Sequence, residues 1–361
     1  MKHYYAMIMA GGGGTRLWPM SRQDTPKQLL PLVEDASMFK VSVDRLAPLF
    51  TPDQIYVVTG RRYFDSLRAE APDIPIENFI IEPYARNTAP AAALGITVIQ
   101  KRDPEASVAI LTADHHISKK EAFRKVLEAA HDLAQKGYIA TLGISPSYPA
   151  TGFGYIQQGE EIEKVSDFTA YRANKFTEKP DAETATAFLA SGDYAWNSGM
   201  FIWKAEQAMA EFKRQQPQMH HHFMELAPTV DTPEYEVKLE AVWSAMPDIS
   251  IDVAVMEHAE NMAVIPVDIG WNDVGSWEAL YEVLKLDKFG NGFKGRQTAV
   301  PVNLDTKNTL VYSDKLIVTI GVEDLIVVET PDALLICHKD RAQAVKDVVN
   351  RLLTTKNYKY L

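Results

Sequence analysis

Cysteine is almost missing from this chain: Cys337 stands alone among 361 residues. A single thiol excludes an internal disulfide and fits a reducing compartment. Long apolar runs are missing as well. None could span a bilayer, and residues 1–4 lead into a strand pattern rather than a signal peptide, so the expected location is cytoplasmic. Positive charge is in deficit, with 37 Lys and Arg against 48 Asp and Glu, a net charge of -11. That balance excludes a general nucleic-acid binder and an anionic-membrane binder, and any phosphate site has to be made positive locally. The hydrophobic and charged fractions, 46% and 24%, are ordinary for a globular protein, and the length allows two domains.

Two familiar glycine signatures are also absent. A P-loop requires Gly-Lys-Ser/Thr after its fourth spacer, but no lysine follows Gly11-Gly12-Gly13-Gly14 until Lys27. A dinucleotide fingerprint requires a sixth-place glycine, where this chain has Arg16 or Leu17. What is present is a short apolar strand pattern over 5–10, then the four glycines and Thr15-Arg16-Leu17-Trp18-Pro19-Met20-Ser21-Arg22, then Pro26-Lys27-Gln28. Glycines let the backbone turn sharply, and successive amides in such a turn form an anion-binding concavity. Arg16, Arg22 and Lys27 add local positive charge, which suits a polyphosphate. Judged by its glycines alone, the stretch reads equally well as a flexible hinge.

Beyond this loop the pattern alternates. Helical spacing over 38–49, 62–69, 88–101 and 120–136 separates apolar strand runs at 55–59, 79–81, 108–111 and 139–142. Such alternation predicts βαβ units and an α/β fold, whose ligands sit at the carboxyl ends of the strands. The middle third is less regular. Strands are expected at 151–157, 172–178, 199–203 and 262–269, and helices at 182–190, 204–215 and 234–246. From about residue 290 the texture becomes short β-rich runs split by turns, closed by a helix over 341–353. The expected domains are therefore 1–289 and 290–361.

Several side chains could carry chemistry. Asp114 follows a buried strand run and could hold Mg²⁺, a hard cation that favours oxygen ligands. Read alone, it is equally a turn aspartate. Asp273, in Gly270-Trp271-Asn272-Asp273-Val274-Gly275-Ser276-Trp277, is a second acid after a strand run, with Asn272 beside it to orient it. Glu178-Lys179, taken alone, reads as a solvated ion pair.

The ordered set Gly-Gly-x-Gly-Thr-Arg-Leu-x-Pro with Pro-Lys-Gln resembles the signature loop of the sugar-nucleotide pyrophosphorylases. The Trp18-Pro19-Met20-Ser21-Arg22 variant is similar to the guanylyltransferase branch that acts on mannose 1-phosphate. Other elements agree in order: Ala113-Asp114-His115-His116-Ile117, Thr151-Gly152-Phe153-Gly154-Tyr155-Ile156, Phe176-Thr177-Glu178-Lys179-Pro180, Ser250-Ile251-Asp252 and Trp271-Asn272-Asp273-Val274-Gly275. The resemblance implies a Rossmann-like, mainly parallel mixed sheet with helices on both faces, plus a small β-rich C-terminal domain resembling a short left-handed β-helix.

It further implies that Arg16, Lys27, Asp114 and Asp273 are catalytic, and that Asp114 and Asp273 hold Mg²⁺, with Mn²⁺ able to substitute. Gly11, Gly12, Gly13, Gly14, Thr15, Arg16, Lys27, Arg86, Asn87, Thr88 and Asp114 would bind the nucleotide. Gly154, Glu178, Lys179, Asn197 and Asp273 would bind the sugar phosphate. The segment around Asp252 is expected to be a capped helix under the sugar site. The implied partners are GTP and mannose 1-phosphate, in a homo-oligomer for which a dimer is favoured.

Overall fold

The computed structural model describes residues 1–295 and 301–361. They form two compact units, neither a single stretch of chain. The first comprises Met1–Gly11, Val43–Ala113 and Ile117–Trp271; the second, Gly12–Ser42, Asp114–His116 and Asn272–Leu361. Residues on both sides of position 290 therefore share the second unit. No helix among the described residues is long and apolar enough to cross a membrane.

The first unit is built on a nine-stranded sheet. Its strands are β1 (Tyr4–Met9), β2 (Ile55–Gly60), β3 (Phe79–Glu82), β4 (Ser107–Thr112), β5 (Ile139–Ile144), β6 (Tyr155–Val165), β7 (Phe168–Thr177), β8 (Tyr194–Lys204) and β9 (Met262–Pro266). Their order across the sheet is β3-β2-β1-β4-β8-β5-β9-β7-β6. The first four run parallel, with Ala6 opposite both Ile55 and Ala109. β8 then enters antiparallel to β4 and β5. The central strands read as unbroken apolar runs because helices cover both faces. One of these, Thr88–Arg102, buries every residue from Ala89 to Ile99. Its Gly95 leaves room for Met7 and Val58 of the sheet.

Element bounds differ from the sequence reading where polar residues alternate or proline intervenes. The strand expected at 151–157 starts at Tyr155 and continues to Val165, forming a long irregular hairpin with β7. The helix expected over 38–49 is Met38–Asp44. Pro48 cannot continue it, because its ring removes an amide and crowds the preceding turn.

The second unit has its own core, in which Leu17, Trp18, Leu30 and Leu32 pack with Val274, Trp277, Tyr312, Ile326, Val345 and Val349. Its strands are β10 (Gly292–Lys294), β11 (Val302–Leu304), β12 (Leu310–Tyr312), β13 (Val318–Ile320), β14 (Leu325–Glu329) and β15 (Leu334–His338). β10, β12 and β14 pair in parallel, and so do β11 and β13. Leu310 lies opposite Ile326, Val302 opposite Val318 and Lys307 opposite Glu323. These three pairs share a sixteen-residue offset, stretched between β10 and β12, where Gly292 lies opposite Leu310, and it is the rung of a β-helix-like coil, invisible as a repeat of letters. The coil is followed by a 3₁₀ segment Lys339–Ala344, the helix Val345–Thr354 and a last 3₁₀ turn, Tyr358–Tyr360.

Candidate active site

Chemistry in the second unit starts at the glycine turn. Gly12 (φ +99°) and Gly14 (φ +60°) occupy left-handed backbone, which favours residues without a Cβ. Gly14 caps a 3₁₀ turn, Thr15–Leu17, and its carbonyl accepts from Ser21 Oγ at 2.7 Å. Gly11, Gly12, Gly13 and Thr15 are exposed, whereas Leu17 and Trp18 drop into the core. The turn is thus pinned from below and open above.

Lys27 lies directly against this turn. A Cβ on Gly14 would stand 2.5 Å from the Cβ of Lys27. Although only 6% exposed, Lys27 donates from Nζ to Asp114 Oδ2 at 2.9 Å and to the backbone carbonyl of Asp273 at 2.5 Å. One ammonium therefore joins the Asp114 carboxylate to the Asp273 main chain, two positions far apart in sequence. Burial pushes the Asp114 carboxyl up, but the charges of Lys27 and His115 outweigh it and hold the group below its usual range.

Around Asp273 the backbone is held tightly. Asp273 Oδ1 accepts from the Gly275 amide at 3.1 Å. A Cβ on Gly275 would collide with the Asp273 carboxylate and lie 3.2 Å from a terminal nitrogen of Arg16. Gly275 is the gap through which Arg16 and Asp273 approach each other. Val274 adopts φ +44°, an unusual conformation for a β-branched residue, and is fully buried. The sequence reading gave Asn272 the task of orienting Asp273. Instead, Asn272 accepts from the Val274 amide at 2.7 Å and donates to Glu282 at 3.2 Å.

Two carboxylates are a suitable donor set for Mg²⁺, which commonly takes one or two acids and fills its shell with phosphate oxygens and water. Among the described residues, no group of three or more His, Cys, Asp or Glu side chains is placed to hold a metal ion.

In the first unit, two further clusters form. At the end of β3, Glu82 is 7% exposed and burial pushes its carboxyl up to about 7. A Cβ on Gly11 would lie 3.9 Å from Glu82 Oε1. Nearby, Arg86 sits over the Tyr84 ring at 5.0 Å, and its Nε is buried with no hydrogen-bond partner among the described residues. Asn87 (φ +65°) caps the Thr88–Arg102 helix by accepting from the Thr88 amide. The Thr88 hydroxyl accepts from the Ile251 amide at 2.9 Å. The sequence resemblance sets Glu82 at the head of the segment 82–91, read as base-binding, without giving the acid a role; its burial at the end of β3 singles it out.

The other cluster surrounds Gly154. A Cβ there would stand 2.5 Å from Glu178 Oε2 and 3.3 Å from the Asn197 Cβ. Glu178 pairs with Lys179 Nζ at 2.6 Å. Asn197 donates to Asp252 Oδ1 at 2.9 Å and accepts from the Gly199 amide at 3.0 Å. Asp252, expected only to lie in a packing helix, is part of the cluster. Burial, then the neighbouring Glu178 charge, push its carboxyl up to about 6. Phe153 and Tyr148 pack edge-on against Trp196, at 5.1 and 5.0 Å.

Comparison with known proteins agrees with this layout. The nucleotidyl transferase family model matches residues 5–288, and the MannoseP isomerase/GMP-like beta-helix domain model matches 300–352. The chain is 38% identical over 353 residues to the mannose-1-phosphate guanylyltransferase of Escherichia coli K12, covering 96% of this chain and 73% of that protein. It is 37% identical over 354 residues to the xanthan biosynthesis protein XanB of Xanthomonas campestris, covering 98% and 74%. A crystal structure from Thermus thermophilus described as a mannose-1-phosphate geranyltransferase matches with a TM-score of 0.88 at 35% identity, covering 97% of this chain and 99% of that one. The chain belongs to the nucleotidyl transferase family, in its mannose-1-phosphate guanylyltransferase branch.

Proposed function

We propose that the protein transfers GMP from GTP to α-D-mannose 1-phosphate, forming GDP-mannose and pyrophosphate. The observation that carries this reading is the buried Lys27 ammonium beside the glycine turn, bonded to Asp114 and to the Asp273 carbonyl. A sugar-phosphate oxygen attacks the α-phosphorus in line, and pyrophosphate leaves. The nucleophile is already an anion, so no general base is needed; the protein's task is alignment and charge neutralisation.

Lys27 and Arg16 take the triphosphate and the charge that grows on the departing pyrophosphate, while the amides of the glycine turn receive phosphate oxygens. Asp114 and Asp273 are the residues that would hold Mg²⁺, or Mn²⁺ in its place, and the ion would neutralise phosphate charge. Glu82 is the acceptor for guanine N1–H and its 2-amino group, a pair of donors that adenine lacks. Arg86 and Asn87 are the matching donors for O6. On the sugar side, Glu178, Asn197 and Asp252 read hydroxyls where Gly154 leaves room. Lys179 turns from Glu178 to the 1-phosphate.

The test is pyrophosphate release from purified protein with Mg²⁺, each of the four nucleoside triphosphates, and mannose or glucose 1-phosphate. GTP with mannose 1-phosphate is expected to be fastest by a wide margin. A faster rate with TTP or UTP, or with glucose 1-phosphate, would replace this reading with that of a sister transferase.

A further inference from the structure

Three cationic side chains follow the glycine turn, and the second unit treats them differently. Arg22 is fully engaged. Its Nε donates to the Pro19 carbonyl at 2.6 Å, a terminal nitrogen donates to Asp332 at 2.9 Å, and the guanidinium lies 5.7 Å from the Trp18 ring centroid. Lys27 is paired with Asp114. Arg16 donates to a neutral partner: its Nη1 bonds Gln343 Oε1 at 3.2 Å, while its Nη2 and the Asp273 carboxylate both lie against Gly275.

The side chain of Gln343 is exposed, but its backbone is anchored on both sides. Ala342 and Val345 are buried in the core that also holds Leu17 and Trp18. That core is locked further by indole-to-carbonyl bonds. Trp18 Nε1 donates to the Tyr360 carbonyl at 2.7 Å, and Trp277 Nε1 donates to the Trp18 carbonyl at 2.9 Å. The turn that carries Arg16 and the segment that carries Gln343 are therefore fixed to one another, although 327 residues separate them in sequence.

We propose that Gln343 is a positioning residue for the nucleotide: it holds Arg16 in the orientation that meets the triphosphate without neutralising it. The chemistry of the partner is the argument. An amide carbonyl accepts one guanidinium N–H and adds no negative charge to that of the Asp273 carboxylate across Gly275. A carboxylate at this position would form a charge-assisted pair that competes with phosphate. Asp332 does this to Arg22, which thereby serves the fold; Gln343 keeps Arg16 for the ligand. The β-rich C-terminal segment thus contributes to nucleotide affinity, not to architecture alone. This inference rests on the reading of Arg16 as a triphosphate ligand.

The experiment measures GTP binding by calorimetry on the full chain, with steady-state KM values for both substrates beside it. Gln343→Ala should weaken GTP binding about 3- to 10-fold, the worth of one hydrogen bond that orients a charge. Gln343→Glu should weaken it further, about 10-fold or more, despite restoring a partner for Arg16. KM for mannose 1-phosphate should stay within about twofold in both, and melting temperatures should not move. In an Arg16→Ala background, Gln343→Ala should have no further effect on GTP binding. GTP affinity within twofold of the wild type in both variants would overturn the proposal. So would equal changes in both KM values, or a Gln343→Ala effect that survives the loss of Arg16. Absence of transfer to mannose 1-phosphate by the wild type is a separate result, and it overturns the functional reading.

Discussion

Gly14 and Lys27 touch so closely that the glycine has no room for a side chain: a Cβ there would stand 2.5 Å from the Cβ of the lysine, 3.3 Å from its amide nitrogen and 3.4 Å from its Cα. Gly14→Ala therefore faces two penalties, the left-handed backbone at φ +60° and the collision with Lys27. We expect a loss of about 1–2 kcal/mol of stability, measured by denaturant melts, together with displacement of the ammonium and weaker GTP binding. Gly13→Ala, where a Cβ would meet nothing within 4 Å, is the stability control and should melt like the wild type.

Removal of the ammonium itself should be costly for rate and mild for fold. Lys27→Ala is expected to lower kcat about 10²–10³-fold, the usual effect of losing a donor aimed at developing charge. Near-normal turnover of a folded Lys27→Ala protein would remove Lys27 from the chemistry.

Asp114 is held below the usual carboxylate range, so it stays ionised throughout neutral pH and can be a cation ligand. Asp114→Asn should raise the Mg²⁺ concentration needed for half-maximal rate by about 10-fold or more. A Mg²⁺ titration curve that superimposes on the wild type would dissociate Asp114 from the metal.

Glu82 supplies a pH dependence whose sign is set by its burial. Its carboxyl is raised from 4.5 to about 7, so the buried charge opposes folding above pH 7 and does not below about 4.5. Glu82→Gln should accordingly stabilise the protein by up to about 3 kcal/mol at pH 8 and by nothing at pH 4.5, read from melts at both values. Function should move the other way. Wild-type KM for GTP should rise as pH falls through about 7, as the acceptor is protonated. Glu82→Gln should show a high KM at every pH and reduced discrimination against ATP.

Asp252→Asn separates the two substrates. It is expected to raise KM for mannose 1-phosphate about 10-fold while leaving KM for GTP within about twofold. Equal shifts in both would mark Asp252 as a general support of the fold.

The sequence disclosed what is local and repetitive. Alternating apolar runs reveal β1 to β5 because a strand buried on both faces must be apolar throughout, and the glycine turn announces itself through four adjacent letters. Pairings made at long range left little trace. Asp252 looks like a helix residue until Asn197 is found 2.9 Å away, and Glu82 is one acid among many until its burial is known. The β-helix-like coil escaped because its sixteen-residue rung is kept by backbone pairing while the side chains vary, with Asn303 and Thr319 bonded at 2.8 Å where aliphatic residues pair elsewhere.

The core shared by Leu17, Trp18, Tyr312, Ile326 and Val349 also bears on how this protein may be cut. A truncation at residue 290, the natural place to divide the letters, would not yield a trimmed enzyme with intact catalytic parts. It would strip the hydrophobic floor from beneath the glycine turn and expose a tryptophan and several leucines to water, and the shortened product should be sticky and unable to grip GTP.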